Sequence, residues 1–186
     1  MIINNIRNAI PSIDAKYSVL GMLSQELQGL PWMIIGSMSL QLHDVDVTPN
    51  DIDILTTKEG AYRIEEILAR NHRLVRPVAY GETEIFKSHY GELEILKTKV
   101  EIMGDLYFRE KETENWTGIA SRLQEPVFVY IYGARIPISP LDRQEEAYAK
   151  VRREKDLHKI TAIRQLKQQG NYRLRITDIT TEINSL

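Results

Sequence analysis

Apolar residues recur along the chain at two spacings, and each spacing predicts one type of secondary structure. Helical spacing predicts a helix over residues 14–27, with Ser12 as its N-cap, and an amphipathic helix over residues 58–71. Two apolar runs, WMIIG and DIDILTT, predict buried strands. The segment SMSLQLHD lies between these runs and predicts a short helix that starts directly from Gly36-Ser37.

The middle of the chain is rich in strand-forming residues. The segments LVRPVAY, TEIFKSHY, ELEILK and KVEIM predict four short strands, with a hairpin turn at Tyr90-Gly91. Further along, VFVYIY and ARIPIS predict two strands that pair around Gly133. Residues 140–168 predict one long helical region, and residues 170–186 form a tail that adds a strand or packs loosely.

Together these elements predict the fold class and a division of the chain. We expect an α/β (α+β) fold with a mixed β-sheet core and flanking helices. Residues 1–139 should form the core, and residues 140–186 should form a C-terminal helical region packed on it. A chain of 186 residues has a suitable length for this organisation.

Composition excludes several classes of function. The chain contains no cysteine, which excludes disulfides, cysteine zinc sites and thiol nucleophiles. Its four histidines lack the spacing of a zinc site. The N-terminus does not resemble a signal peptide, and no segment has the roughly 20 apolar residues of a membrane-spanning helix. We therefore expect a cytoplasmic protein without a membrane partner.

The net charge of −2 is unevenly distributed along the chain. Residues 143–175 contain ten lysines and arginines against four acidic residues, a balance of +6, so the remainder carries −8. An acidic front and a basic rear would suit a ligand that is both metal-bound and anionic. A solvated helix with surplus basic residues explains the same pattern, and charge alone does not decide between the two.

Two aspartates stand inside the second apolar run. Alternate side chains of a strand face the same way, so Asp51 and Asp53 point together while Ile52 and Ile54 point to the opposite side. Two neighbouring carboxylates repel each other unless a cation lies between them. Mg²⁺ is the natural cation, because it prefers oxygen ligands. The pattern therefore predicts a metal site at the edge of a sheet.

Gly36-Ser37 suggests a second binding element. A strand that leads through glycine and serine into a helix exposes backbone N–H groups that favour phosphate. Glycine allows the backbone to approach the ligand closely, and serine adds a hydroxyl donor. Neither Gly-Ser nor D-x-D is specific alone, and the prediction depends on their order and spacing.

These residues resemble the nucleotidyltransferase superfamily, which has the fold of DNA polymerase beta and of antibiotic adenylyltransferases. Its signature is an apolar strand, G-[GS], a helix and [DE]-h-[DE]-h, where h is apolar; the matching residues are Gly36, Ser37, Asp51 and Asp53. The sequence is most similar to the branch with lincosamide and aminoglycoside adenylyltransferases and abortive-infection toxins. The resemblance covers residues 32–103 and, more loosely, residues 141–166.

The resemblance implies a third carboxylate from a neighbouring strand. Glu101, within VEI, is the preferred candidate, because apolar residues flank it as they flank Asp53. Glu94, within LEI, is the alternative. Glu92 lies two residues before it, and two glutamates at this spacing are typical of a solvated strand face. Asp105 is a third candidate. In this family such a carboxylate helps to hold metal and accepts the proton of the attacking hydroxyl.

Two lysines in the basic region are candidate nucleotide ligands. Tyr148 and Val151 start an apolar stripe at helical spacing, and Lys155 is its next position. A lysine on such a stripe extends to solvent or meets an anion. The similar branch often has a Lys-Asp pair facing the triphosphate; Lys155-Asp156 matches that pair, and Lys150 matches an earlier lysine.

The resemblance implies a Mg-dependent nucleotidyltransferase that moves an NMP, with AMP favoured, from an NTP to a hydroxyl acceptor. Two Mg²⁺ ions, or Mn²⁺, would be held by Asp51, Asp53 and Glu101. A small-molecule acceptor is favoured, while a tRNA end and a protein side chain remain open. The alternative is a non-catalytic nucleotide-binding regulatory or toxin–antitoxin protein of the same fold. The sequence does not specify an oligomeric state.

Overall fold

The structure, a computed structural model, describes residues 15–169 of the 186-residue chain. The predicted N-cap at Ser12 and the predicted tail over residues 170–186 lie outside the described residues. The predicted division of the chain at residue 139 stays a prediction.

The helices and strands follow the apolar pattern closely in most of the chain. The helices are α1 (Ala15–Glu26), α2 (Gly36–Leu42), α3 (Lys58–Leu68), α4 (Leu141–Val151) and α5 (Leu157–Gln168), with 3₁₀ turns at Ala120–Gln124 and Glu154–Asp156. The strands are β1 (Trp32–Ile35), β2 (Ile52–Thr56), β3 (Arg73–Glu82), β4 (Phe86–Ile95), β5 (Thr98–Arg109), β6 (Trp116–Gly118), β7 (Val127–Ile131) and β8 (Ala134–Ile138). The predicted hairpin at Gly133 is present, since Ile131 pairs with Ala134.

The strands form one mixed sheet in the order β3-β4-β5-β2-β1-β8-β7, with β6 paired to β5. At its centre, β2 is antiparallel to β1 and parallel to β5. The other neighbour of β1 is β8, which is parallel to it. A mixed sheet with helices on it confirms the predicted α/β (α+β) class.

The two faces of the central strands have different surroundings. On one face, Ile52 and Ile54 are fully buried and pack with residues of α1 and α3 in the main core. On the other face, Leu55 joins a smaller core that includes Met33 and Phe108. Asp53 lies on this second face by the alternation of the strand. The apolar face therefore fixes β2 in the sheet and leaves its other face available for chemistry.

The C-terminal helices pack beside α2. Leu40 of α2, Leu141 of α4 and Ile163 of α5 are buried together in a third apolar cluster. His43, just after α2, contributes a ring nitrogen 2.8 Å from the carbonyl oxygen of Ser139, which precedes α4. These contacts hold α4 and α5 against the segment that joins β1 to β2.

The predicted turn at Tyr90-Gly91 is wrong. TEIFKSHY and ELEILK contribute to one continuous strand, β4, and both residues lie inside it. Gly91 lies where β3 approaches closely, because a Cβ there would overlap the Val78 side chain. The glycine thus serves strand packing, and the turns of this region lie on either side of β4, between Glu82 and Phe86 and between Ile95 and Thr98.

The predicted helical region over residues 140–168 is present, but it consists of two α-helices, α4 and α5, with a break after Val151. Arg152 adopts the left-handed conformation, with φ 50°. The loop after β5 holds this end of α4, since the amide of Lys111 donates to the carbonyl of Lys150 at 2.9 Å and Arg152 pairs with Glu112. The predicted stripe from Tyr148 to Lys155 therefore does not continue along one helix.

The fold depends on the close approach of α3 to β5 at Gly104. A Cβ at Gly104 would lie 2.7 Å from the Ala61 Cβ and 2.8 Å from the Thr57 carbonyl oxygen. We expect Gly104→Ala to lower the free energy of unfolding by about 1–3 kcal/mol, because helix and strand must separate. Urea unfolding of the metal-free protein measures this change.

Gly81→Ala on β3 is the matched control, because a Cβ there meets no atom within 4 Å. Gly81→Ala should change the free energy of unfolding by no more than about 0.5 kcal/mol. Equal losses from the two substitutions would contradict the view that the α3–β5 contact requires glycine.

Candidate functional site

Strand register brings the predicted carboxylates together at the centre of the sheet. Asp53 pairs with Ile35 of β1 on one side and with Glu101 of β5 on the other. Asp51 lies one residue before β2. Each residue of the trio Asp51, Asp53 and Glu101 offers a carboxylate oxygen, and these atoms lie within 4.8 Å of one another.

The other candidates for the third carboxylate lie apart from the trio. Glu94 is on β4, where its carboxylate pairs with Arg73 at 3.4 Å. Asp105 lies four residues beyond Glu101 on β5, and its φ is 47°. The structure thus places Glu101, and neither alternative, beside the two aspartates. Its chemical role stays a prediction.

Gly36 is required where it stands, at the end of β1. Its φ is +69°, a value that favours glycine, and a Cβ there would overlap the Asp53 carboxylate. Gly36 and Ser37 both line the same cavity as the trio. The structure therefore brings the Gly-Ser and D-x-D segments together, as their order along the chain predicted.

The Asp53 carboxyl has a strongly shifted pKa. The pKa is raised from 3.8 to about 8, mainly by burial, and the charges of Asp51 and Glu101 add to the effect. The positive charge of the Lys159 ammonium lowers the pKa of Asp53 and so opposes this shift in part. A bound divalent cation would favour the ionised form of Asp53.

Lys99, which is not among the predicted site residues, contacts the trio directly. Its Nζ lies 3.3 Å from Asp51 Oδ2 and donates a hydrogen bond to Glu101 Oε1. The hydrogen bond to Glu101 raises the pKa of Lys99 above its ordinary value. The sequence K-V-E contains a signal for this contact. Lys99 lies two residues before Glu101, and alternate residues of a strand share a face.

Asp156 anchors a second group of charges beside the cavity. It is 2% exposed and forms an ion pair with Lys159 at 3.0 Å. It also accepts a hydrogen bond from Arg153. Arg153 also stacks over the Phe86 ring, 4.9 Å from its centre. Asp156, the aspartate of the predicted Lys155-Asp156 motif, therefore pairs with Arg153 and Lys159. Lys159 lies three residues after Asp156, a spacing at which helical side chains are neighbours.

The two predicted lysines lie in different places. Lys155 is exposed and lines the cavity, and it has no carboxylate partner in residues 15–169. Lys150 instead pairs with Glu110 at 3.1 Å and with Glu146 at 3.2 Å. Lys150 is not part of the cavity wall.

The trio opens into a cavity of about 750 Å³. Besides the residues already placed there, its wall includes Arg76, Tyr90, Arg122 and His158. Burial and the neighbouring Glu101 raise the pKa of the Tyr90 phenol. A second cavity of about 850 Å³ shares Val151, Arg153 and Lys155 with the first. Two ligands could therefore meet at the break between α4 and α5.

None of the helices within residues 15–169 has the length and apolar character that crossing a membrane requires. The longest helices in that range have 12 residues. The described helices instead pack on the sheet through buried residues such as Leu23 of α1 and Ile64 of α3.

The shifted pKa of Asp53 predicts how stability depends on pH. Between about pH 4 and 8 the folded protein keeps a proton that the unfolded chain has lost, so stability falls as pH rises. Asp53→Asn cannot ionise and should avoid this loss. We expect it to be more stable than the parent above about pH 8, by roughly 2 kcal/mol or more, and similar to it near pH 4.

Urea unfolding in a chelator, across this pH range, measures the difference. Glu94→Gln serves as the control, because Glu94 lies outside the trio. A stability difference between Asp53→Asn and the parent that did not change with pH would contradict the raised pKa.

Comparison with known proteins identifies the family. The sequence profile of aminoglycoside-2''-adenylyltransferases matches residues 18–163. A structure from Thermotoga maritima, assigned to the nucleotidyltransferases, is 32% identical with a TM-score of 0.63, and the match covers 87% of this chain and 96% of that one. A lincomycin-bound lincosamide antibiotic adenylyltransferase shares the fold at 11% identity and a TM-score of 0.50, over 80% of this chain and 94% of that one. No curated protein matches the chain significantly. The chain belongs to the aminoglycoside-2''-adenylyltransferase family and is a nucleotidyltransferase.

Proposed function

We propose that this nucleotidyltransferase moves an NMP, with AMP favoured, from an NTP to a hydroxyl group of an acceptor. We further propose that Asp51, Asp53 and Glu101 hold two Mg²⁺ ions, or Mn²⁺, for the reaction. The observation that carries the proposal is the convergence of these three carboxylates, with oxygens within 4.8 Å of one another, on the wall of a large cavity. A cytoplasmic location, where NTPs are abundant, stays a prediction.

The donor set of the trio fits a hard divalent cation. Its three residues offer carboxylate oxygens, the ligands that Mg²⁺ and Mn²⁺ prefer. The raised pKa of Asp53 is consistent with such a site, because burial and the neighbouring carboxylates both disfavour its ionised form and a bound cation would favour it. When bound, such cations would activate the acceptor hydroxyl and neutralise the charge of the leaving pyrophosphate.

Glu101 is suited to accept the proton of the acceptor hydroxyl. It lies on β5 beside Asp53 and is also in contact with Lys99. As the acceptor oxygen bonds to the α-phosphorus, its proton passes to the Glu101 carboxylate and the bond to pyrophosphate breaks.

The cavity wall around the trio supplies groups for the nucleotide. Gly36 and Ser37 offer a close backbone approach and a hydroxyl donor. Lys155 supplies an ammonium that has no carboxylate partner within residues 15–169. In contrast, the other lysines and arginines between residues 143 and 167 all pair with carboxylates. Lys150, paired outside the cavity, is the less supported of the two lysines.

A small-molecule acceptor remains the favoured substrate class. The second cavity, of about 850 Å³, is of the size that small ligands occupy and adjoins the first at Lys155. A related fold holds lincomycin in a lincosamide antibiotic adenylyltransferase. A tRNA end and a protein side chain remain open as acceptors.

A matched pair of substitutions tests the trio. We expect Glu101→Gln to lower the rate of NMP transfer about 10²–10⁴-fold, because it removes both a metal ligand and the proton acceptor. Glu94→Gln, the same change on the neighbouring strand, should keep nearly normal activity. The assay uses labelled NTPs with Mg²⁺ or Mn²⁺ and a panel of acceptors, and it scores pyrophosphate release. Equal losses from both variants, or none from Glu101→Gln, would show that Glu101 has no part in the reaction.

Lys155 is tested by nucleotide binding. Because it is exposed and lacks a carboxylate partner, Lys155→Ala should leave the melting temperature nearly unchanged without ligand. We expect it to weaken binding of a non-hydrolysable Mg–NTP analogue by about tenfold, because an ammonium in a partly dry cleft interacts strongly with phosphate oxygens. Calorimetric titration measures the affinity.

Lys58→Ala is the control for simple loss of a positive charge. Lys58 is exposed at the start of α3, beyond the opposite end of β2 from Asp51. Equal weakening by the two substitutions would assign the effect to a diffuse electrostatic field and remove Lys155 from the site. Lys159 is unsuitable as a control, because its ammonium acts on Asp53 and pairs with Asp156.

A further inference from the structure

Lys99 occupies an unusual position for a lysine of a proposed metal site. Its ammonium contacts Glu101 Oε1 and lies 3.3 Å from Asp51 Oδ2, so it touches two of the three carboxylates. Those carboxylates have oxygens within 4.8 Å of one another, and any cation that they share must lie among them. The ammonium and a metal ion would therefore compete for the same oxygens.

The backbone explains why Lys99 reaches this place. Ile52 of β2 pairs with Val100 of β5, so the residue before each of them lies at the same level of the sheet. Those residues are Asp51 and Lys99. Lys99 and Glu101 are two positions apart on β5 and share a face. The contact is therefore built into the register of the parallel strands.

A second lysine near the trio is held differently. Lys159 pairs with the buried Asp156 at 3.0 Å, and its side chain is 16% exposed. The Lys99 side chain is 44% exposed, and its contacts in residues 15–169 are with the trio itself. Lys159 is thus fixed by a separate anchor, whereas Lys99 is free to leave towards solvent once its two carboxylates bind another cation.

We infer that Lys99 is a tethered counter-cation that holds Asp51 and Glu101 together in the metal-free protein and is displaced when a divalent metal binds. This inference rests on the proposed function, because it takes the trio as the metal site. Metal alone must replace an ammonium already in contact with the ligands, so its affinity is reduced. An NTP adds phosphate oxygens as ligands, so metal and nucleotide should bind better together than separately.

Mn²⁺ binding without nucleotide tests the inference, with electron paramagnetic resonance as a readout that does not require activity. We expect Lys99→Met to bind Mn²⁺ about three- to tenfold more tightly than the parent, because the competing ammonium is gone. Lys99→Arg keeps a cation at the position and should bind as weakly as the parent. The gain from Lys99→Met should shrink when a non-hydrolysable NTP is present.

Two controls separate this inference from the proposed function. Lys97→Met removes an exposed charge in the turn before β5, and it should change Mn²⁺ affinity less than twofold. Asp53→Asn should abolish Mn²⁺ binding if the trio is the metal site. Loss in Asp53→Asn with unchanged affinity in Lys99→Met would overturn the role of Lys99 and leave the proposed function standing. Unchanged binding in Asp53→Asn would overturn both.

Discussion

The central constraint in this protein is the mutual repulsion of three carboxylates that the backbone forces together. Asp51, Asp53 and Glu101 have oxygens within 4.8 Å of one another, and burial together with the charges of Asp51 and Glu101 raises the pKa of Asp53 to about 8. Such a group opposes folding, so its position must be maintained by other interactions. The opposite face of the same strands provides them, because residues such as Ile52 and Ile102 are fully buried there. Strand alternation thus links the stabilising core to the destabilising site.

Two lysines place positive charge beside the carboxylates of the trio, which reduces their repulsion in the metal-free protein. Lys99 contacts Asp51 and Glu101 from β5, while Lys159 acts on Asp53 from α5. The second lysine depends on Asp156, which is buried and holds both Lys159 and Arg153. The C-terminal segment is therefore part of the electrostatic design of the site. Of the basic residues between 143 and 167, Arg153, Lys155 and Lys159 line the cavity and the others pair outside it, so the site accounts for part of the basic excess there.

Much of the fold and site was predictable, because the deciding signals are local. The two-residue period of a strand placed Asp51 and Asp53 on one face, and Glu92, two residues before Glu94, marked the Glu94 face as solvated and favoured Glu101. The predictions failed where distant contacts decide. Gly91 indicated a turn but instead lies against Val78 on the neighbouring strand. The helix breaks at Arg152, a residue type that gives no stop signal, because the loop after β5 holds the end of α4.

The same break also determines how the two cavities meet. If α4 and α5 formed one straight helix, Lys155 would lie one turn beyond Val151 on the same face and Lys159 one turn further. In the observed structure a left-handed residue and a 3₁₀ turn redirect the chain, so that Val151, Arg153 and Lys155 line both cavities. Arg153 pairs with Asp156 and lies over the Phe86 ring at this corner. Nucleotide transfer requires donor and acceptor to meet in one orientation. Under the proposed function, donor and acceptor would meet at this corner, which two cavities share beside the three carboxylates.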